Sequence, residues 1–117
     1  MNYVDGFVTP VPLANKDAYI KHATTMAALC KEFGALKVVE CWGDDVPEGK
    51  LTSYTMAVKR EASEVVVFSW ITWPSKAARA AGWEKLMADE RMKSQEGAMP
   101  LDGKRLIYGG FQMIVEV

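Results

Sequence analysis

Three side chains that can transfer a proton occur among apolar residues in the sequence. Asp5 and Glu40 interrupt the mainly apolar stretches "YVDGFV" and "ALKVVECW", and His22 is the one histidine of the chain. Burial raises the pKa of a carboxyl group, whereas histidine titrates near neutral pH without any perturbation. Groups with such pKa values suit general acid–base catalysis. Glu40, Asp5 and His22 are therefore the candidate catalytic residues.

Each of these side chains also has a structural explanation. Asp5 could pair with Arg105 on a neighbouring strand, and Glu40 could pair with a cationic residue of a second subunit. A histidine at the edge of an apolar helical stripe commonly serves as a hydrogen-bonded packing residue. The sequence leaves both interpretations open for all three residues.

Tryptophans supply the candidate walls of a ligand pocket. Trp70 and Trp73 lie three residues apart in one apolar run, so in a strand they face opposite sides of the sheet. If Trp42 pairs with Val66 on the neighbouring strand, Trp70 comes to lie close to Glu40. We therefore expect Trp70 to line a pocket and Trp73 to lie at a strand edge or a subunit interface.

The glycine pair of "YGGF" suggests a second part of the pocket. Glycines inside a strand mark a bulge or the close approach of another group, and Gly6 is expected on the adjacent strand. This seam could hold a ligand, or it could only relieve curvature or admit a large neighbouring side chain. The candidate ligand-contacting residues are Trp42, Trp70, Arg105, Tyr108, Gly109 and Gly110.

Composition excludes several classes of function. Two cysteines without a CxxC spacing and a single histidine argue against a metal site, and no cofactor motif is present. A net charge of −1 without a basic patch argues against nucleic acid as a partner. The chain shows no apolar run long enough for a membrane span and no signal-peptide pattern, so we expect a cytoplasmic protein without a membrane partner.

Apolar periodicity and breaker residues predict four strands and two helices. The first helix is expected to begin at a cap on Asn15 and to stop at Gly34, and the second to begin at a cap on Ser75 and to run to about Met92. The segment 51–60 is compatible with a strand or with a helical turn. The predicted strands are Tyr3–Val8, Ala35–Trp42, Glu64–Trp73 and Arg105–Val115.

The resulting order is β-α-β-β-α-β over a single domain, 1–117. This order is typical of the ferredoxin-like α+β fold, in which an antiparallel sheet has the strand order 4-1-3-2 and both helices lie on one face. Three of the strands are apolar on both faces, whereas a sheet with one wet face should alternate. We therefore expect a homodimer in which the second faces pack together as a dimeric α+β barrel; coverage by the 43–60 segment is the alternative.

Four segments are familiar in combination: "YVDGFVTPVP", "GALKVVECWGDDVPEGKLT", "VVFSWITWPSKAAR" and "MPLDGKRLIYGGF". Together they cover most of the chain and resemble the small bacterial YbaA-like family, catalogued as domain of unknown function 1428. The resemblance implies a ferredoxin-like dimeric α+β barrel, and it implies no assigned activity.

Two hypotheses about function follow. In the first, the protein transforms a small, largely apolar molecule in a pocket between sheet and helices, with Glu40 or Asp5 as the acid–base group and no cofactor. In the second, a non-catalytic dimer binds a small ligand or a partner protein. Nucleic-acid binding is the weakest alternative.

Overall fold

A computed structural model describes residues 2–95 and 99–117 and contains the predicted order of strands and long helices. Three short helices accompany them in the described residues: a 3-10 helix (Leu13–Asn15) leads into the first long helix, another helix lies in the undecided 51–60 segment, and a third follows a break at Asp89 in the predicted second helix. The predicted loop 94–104 includes residues 96–98, which lie outside the described part. The strands are β1 (Tyr3–Pro12), β2 (Lys37–Trp42), β3 (Glu64–Trp73) and β4 (Ile107–Gln112), and the helices are α1 (Lys16–Glu32), α2 (Tyr54–Ala57), α3 (Lys76–Ala88) and α4 (Glu90–Gln95).

The helix ends agree with most of the predicted signals. The Ser75 hydroxyl accepts a hydrogen bond from the Ala78 N–H at the start of α3, and Gly34 has a φ of 113° just after α1. Such a positive φ favours glycine, which stops the helix there. The expected side-chain cap of Asn15 is absent: Asn15 ends a 3-10 helix that runs into α1, and its amide N–H donates to the Pro100 carbonyl oxygen. That bond ties the start of α1 to the segment before β4.

All four strands form one antiparallel sheet in the order β2-β3-β1-β4, which is the predicted ferredoxin-like order. The predicted end of the first strand at Val8 was wrong, since β1 pairs with β3 as far as Pro12 and includes Pro10. Beyond Val8, β1 has no partner on the β4 side. A strand tolerates proline where one side needs no N–H donor, which explains the longer strand.

The predicted register between β2 and β3 was wrong by one residue. Trp42 lies opposite Val67 and Glu40 lies opposite Ser69, so the pairing of Trp42 with Val66 does not occur. A slip of one residue exchanges the two faces of a strand. As a result Glu40 shares a face with Ser69, and Trp70 lies on the opposite side of the sheet.

The helix-covered face holds the main core around Trp73. This side chain is fully buried, together with Ile71 beside it and Leu86 of α3. The expectation that Trp73 lies at an edge or an interface was wrong, because α3 starts soon after Pro74 and folds back over the indole. Gly82 of α3 permits the close approach, since a Cβ atom there would lie 2.5 Å from the Trp73 ring.

The opposite face of the sheet remains partly uncovered within this chain. Phe68 and Phe111 are 43% and 58% exposed, and Trp70 packs against Phe68 on this face with ring centres 5.6 Å apart. Tyr54 of α2 meets Phe68 edge-on at 6.0 Å. The alternative in which the 43–60 segment covers this face is therefore wrong for the part around Phe111.

Candidate functional site

A half-open cavity of about 180 Å³ lies between α1 and the helix-covered face of the sheet. Its walls come from α1, the first three strands, Trp83 of α3 and the segment 99–106. The lining is mainly apolar, and it includes two of the predicted catalytic residues, Glu40 and His22. A concave apolar pocket with a few converging polar groups is the usual form of a small-molecule site.

Glu40 carries the principal polar group of the cavity. The Tyr19 hydroxyl donates a hydrogen bond of 2.6 Å to Glu40 Oε1. Glu40 also lines a groove between α1 and the edge strand β2, and the residue as a whole is exposed to solvent. Even so, the packing of protein atoms around the carboxyl raises its pKa, and the hydrogen bonds from Tyr19 and Ser69 only partly offset this effect.

Tyr19 remains a neutral hydrogen-bond donor over the physiological pH range. Burial raises the pKa of its hydroxyl well above the usual value, and the neighbouring Glu40 raises it further. The proton between the two oxygens therefore belongs to Tyr19 whenever Glu40 is ionised. Glu40 is the member of this pair that can exchange a proton with a ligand.

His22 lies on the cavity wall one helical turn from Met26. Its Nδ1 atom lies 3.2 Å from the side-chain oxygen of Gln95 on α4. A hydrogen bond from His22 to that oxygen requires the hydrogen on Nδ1, which leaves Nε2 as the acceptor of the neutral ring. His22 thus has the hydrogen-bonded packing role considered for it, while its ring also lines the cavity.

Asp5 occupies a different environment from the other two candidates. It is 2% exposed, and its Oδ2 atom accepts hydrogen bonds of 2.9 Å from the indole N–H groups of both Trp73 and Trp83. Arg79 donates to Oδ1 from Nε at 3.0 Å and from Nη2 at 2.7 Å. The two Asp5 oxygens are thus occupied by four donors, one of which is the indole N–H of Trp83, a residue of the cavity wall.

The expected pair between Asp5 and Arg105 was wrong. Arg105 instead binds Glu64 through two hydrogen bonds of 2.6 and 2.7 Å, and its Nε donates to Asp102 at 3.0 Å. These contacts hold the turn before β4 against the start of β3. Arg105 therefore lies away from the cavity.

The other predicted ligand-contacting residues do not gather around one pocket. Trp42 follows Glu40 on the same face, and Lys16 covers its ring at 5.3 Å. Tyr108 stacks on Phe7 with ring centres 6.4 Å apart. Trp70 lies on the opposite face of the sheet from Glu40, so the expectation that the two share a pocket was wrong.

The predicted glycine seam is divided between the two faces of the sheet. Gly6 and Gly109 lie opposite each other and border an apolar groove on the uncovered face. Gly110 faces the other way, and a Cβ atom there would lie 2.8 Å from the Tyr3 ring. The close neighbours of these glycines are large side chains, namely Phe111 beside Gly6 and Gly109 and Tyr3 and Arg79 beside Gly110, as in the alternative that the sequence left open.

Sequence reasoning missed Tyr19, Cys30, Ser69 and Trp83 as cavity residues. Tyr19 and Cys30 belong to the apolar periodicity that predicts α1, and that pattern alone does not distinguish a cavity wall from the core. Burial, followed by the charges of Asp5 and Glu40, raises the pKa of the Cys30 thiol to about 11. Cys30 is therefore a protonated wall residue rather than a nucleophile.

The described residues, 2–95 and 99–117, also bear on metal sites and membrane-spanning helices. Within them, no three histidine, cysteine or acidic side chains are grouped so that they could hold a metal ion. No helix in those ranges has both the length and the apolar character needed to cross a bilayer.

Comparisons with known proteins agree with the sequence resemblance. The family described as "Protein of unknown function (DUF1428)" matches residues 2–103. The chain is 58% identical over 116 residues to the "Uncharacterized protein YbaA" of Escherichia coli K12, with 99% of each chain covered. The YbaA protein of Shigella flexneri matches to the same extent.

Solved structures show the same fold at low sequence identity. A NIPSNAP domain protein from Burkholderia xenovorans has a TM-score of 0.62 and 15% identity, with 95% of this chain and 93% of that chain covered. A dimeric ferredoxin-like protein from an uncultured marine organism has a TM-score of 0.60 and 13% identity over the whole of both chains. The ferredoxin-like α+β fold is thus confirmed, and the family match and the identity to YbaA show that the chain belongs to the DUF1428 family of proteins.

Proposed function

We propose that the protein binds a small, largely apolar molecule in the cavity beneath α1 and exchanges a proton with it through Glu40. The observation that carries this proposal is the Tyr19–Glu40 pair in the wall of an otherwise mainly apolar cavity. Apolar walls supply affinity by releasing water, and one carboxyl group supplies orientation. The volume of about 180 Å³ compares with the roughly 150 Å³ of an engineered cavity that takes up benzene.

Acid–base chemistry is the reaction type that these side chains support. The raised pKa of Glu40 brings its protonated and ionised forms closer in free energy near neutral pH, as general catalysis requires. His22 Nε2 offers a second proton acceptor on the same cavity wall. Both groups transfer protons without a cofactor.

Non-catalytic binding of the same ligand is the alternative function. It needs the same cavity and differs only in that the ligand is recovered unchanged. A substrate conversion that stops in Glu40→Gln, while the ligand still binds, would establish the catalytic form of the proposal. Conversion that survives this substitution would remove Glu40 from the mechanism.

Filling the cavity is expected to abolish ligand binding. In Ala27→Phe, the new ring would occupy space now bordered by Ala27 and Val38, whereas Ala28→Phe would add the same ring on the exposed side of α1. A small aromatic ligand such as indole should raise the melting temperature of the unmodified protein and of Ala28→Phe, because it binds only the folded state. Ala27→Phe should show no rise.

The melting curves would be recorded by differential scanning fluorimetry over a ligand titration. Ala27→Phe should itself unfold cooperatively, so that a missing ligand effect is not mistaken for a missing fold. An equal rise in melting temperature for all three proteins would place the ligand outside the cavity and contradict the proposal.

We also propose that the protein works as a homodimer whose uncovered sheet faces pack together. The half-exposed Phe68 and Phe111 and the apolar groove beside Gly6 and Gly109 support this arrangement. Exposed aromatic patches of this kind are typical of protein interfaces. The similar marine protein, described as dimeric, is consistent with it.

A charge placed on the uncovered face is expected to dissociate this dimer. Phe68→Lys would place an ammonium group in an apolar interface, where an unpaired charge is costly. Light scattering coupled to size-exclusion chromatography should give the dimer mass for the unmodified protein and the monomer mass for Phe68→Lys. Met87→Lys, on the exposed surface of α3, is the matched control and should stay dimeric. A monomeric unmodified protein at about 100 µM, a concentration at which a micromolar dimer would persist, would overturn the proposal.

A further inference from the structure

We infer that the ligand of this cavity is a small organic cation, a protonated amine on an aromatic or aliphatic body. The inference rests on the proposed function, since it specifies what the proposed cavity selects. It is carried by the charge of the cavity wall, the free hydrogen-bonding capacity of Glu40 and the aromatic surface opposite.

The charge of the wall is negative whenever Glu40 is ionised. Among the cavity-lining residues that the structure describes, none is a lysine or an arginine. No lysine, arginine or histidine in the described part of the chain lies within ion-pair distance of Glu40. His22 is the basic side chain among the described lining residues, and its charged form would lower the pKa of Glu40. While His22 is neutral, an anionic ligand meets a like charge without a compensating cation, which disfavours carboxylates and phosphates.

The Cys30 thiol, also on the cavity wall, reports on the electrostatic potential in the same cavity. The charges of Asp5 and Glu40 both contribute to holding it in its neutral form. Arg79 pairs with Asp5 at 2.7 Å and offsets its charge, and neither residue lines the cavity. The attraction that a positive charge experiences in the cavity therefore comes from Glu40.

Glu40 retains hydrogen-bonding capacity for such a ligand. Tyr19 donates to Oε1 and Ser69 also bonds the carboxyl group, whereas a carboxylate has about four acceptor positions. An ammonium group can donate to a remaining position and form a charge-assisted hydrogen bond, roughly twice as strong as a neutral one. This bond would offset the desolvation of the carboxylate by the protein atoms around it.

Trp83 provides the complementary apolar wall. Its indole N–H is already bound to Asp5, so the cavity meets mainly the ring surface of Trp83. Phe7 contributes a second aromatic ring to the same lining. Aromatic faces attract cations as well as apolar groups, which favours a cation over an isosteric neutral molecule.

Three benzene derivatives of nearly equal size test the inference: benzylamine, benzyl alcohol and benzoate. Their dissociation constants would be measured by isothermal titration calorimetry at pH 7.5, where benzylamine carries a positive charge. We expect benzylamine to bind about tenfold more tightly than benzyl alcohol, and benzoate to bind most weakly. Glu40→Gln should reduce the preference for benzylamine to less than about threefold, whereas Glu84→Gln on the exposed face of α3 should preserve it.

The possible failures are distinguishable. If benzyl alcohol or benzoate binds as tightly as benzylamine, or if Glu40→Gln keeps the tenfold preference, the inference about the cation is overturned and the ligand cavity stands. If none of the three compounds binds the unmodified protein, the proposed function itself is overturned. Heats from benzylamine that persist unchanged in Ala27→Phe would likewise locate binding outside the cavity and overturn both.

Discussion

Replacing Asp5 with asparagine is expected to lower the free energy of unfolding by about 3–5 kcal/mol, the usual cost of removing one partner from a buried ion pair. The substitution keeps the shape of the side chain and removes its charge. Arg79 then loses its partner, and the new amide group directs two N–H donors toward groups that are themselves donors. Unpaired buried donors are costly because no water replaces the lost acceptor.

Urea unfolding at pH 7, followed by tryptophan fluorescence, would measure this loss. Glu32→Gln is the matched control, because it also removes a carboxylate from an arginine, Arg91, but on an exposed surface. Exposed ion pairs contribute little, so this control should unfold almost like the unmodified protein. A similar unfolding midpoint for both variants would show that the buried network around Asp5 is not a main support of the fold.

The same variant reports on the cavity. Trp83 reaches the cavity wall while its indole N–H is held by Asp5, so a loosened indole should weaken ligand binding even under conditions in which Asp5→Asn remains folded. The substitution would weaken binding by displacing Trp83 rather than by removing a contact with the ligand, because Asp5 itself does not line the cavity.

The element order and the strand order were predictable from the sequence because their signals are local. The helical stripe of α1, the glycine stop at Gly34 and the Ser75 cap each involve residues close together in the chain. The ferredoxin-like order of strands then follows from the sequence of elements. Local signals of this kind can be recognised in the sequence without knowledge of tertiary contacts.

The register of β2 against β3 was not predictable in the same way. Strand β3 is apolar on both faces, so the alternation that normally reveals the buried face is missing. A slip of one residue therefore satisfied the pattern equally well, and it exchanged the expected surroundings of Trp70 and Trp73. The pairing of Asp5 with Arg79 was missed because it joins a strand to a helix 74 residues away, a contact set by how α3 crosses the sheet.

The candidate site was predictable only in part. Glu40 and His22 could be singled out by residue type and apolar context, and the structure brings both to one cavity. Tyr19 could be recognised as a partner of Glu40 only once α1 was placed over β2. Their catalytic and binding roles stay predictions.

Replacing Gly82 with alanine is expected to destabilise the protein by about 1–3 kcal/mol, the usual cost of overpacking. The added Cβ atom would lie 2.5 Å and 2.7 Å from Cζ3 and Cη2 of the Trp73 ring and 3.0 Å from the Phe33 carbonyl oxygen. The fully buried ring is held by its bond to Asp5, so it cannot move aside without breaking the polar network.

Intrinsic helix propensity acts in the opposite direction. The sign of the stability change in Gly82→Ala therefore distinguishes the effect of steric overlap from that of propensity. Alanine is better than glycine by about 1 kcal/mol inside a helix, so a protein without the close contact would become more stable. Ala81→Gly, at the exposed neighbouring position of α3, should lose about that amount through propensity alone. A lower melting temperature in both variants would show that steric contact outweighs propensity at Gly82, whereas a higher one in Gly82→Ala would contradict it. Because α3 also carries Arg79 and Trp83, its distance from the sheet determines whether both side chains reach Asp5, and hence where the aromatic wall of the cavity stands.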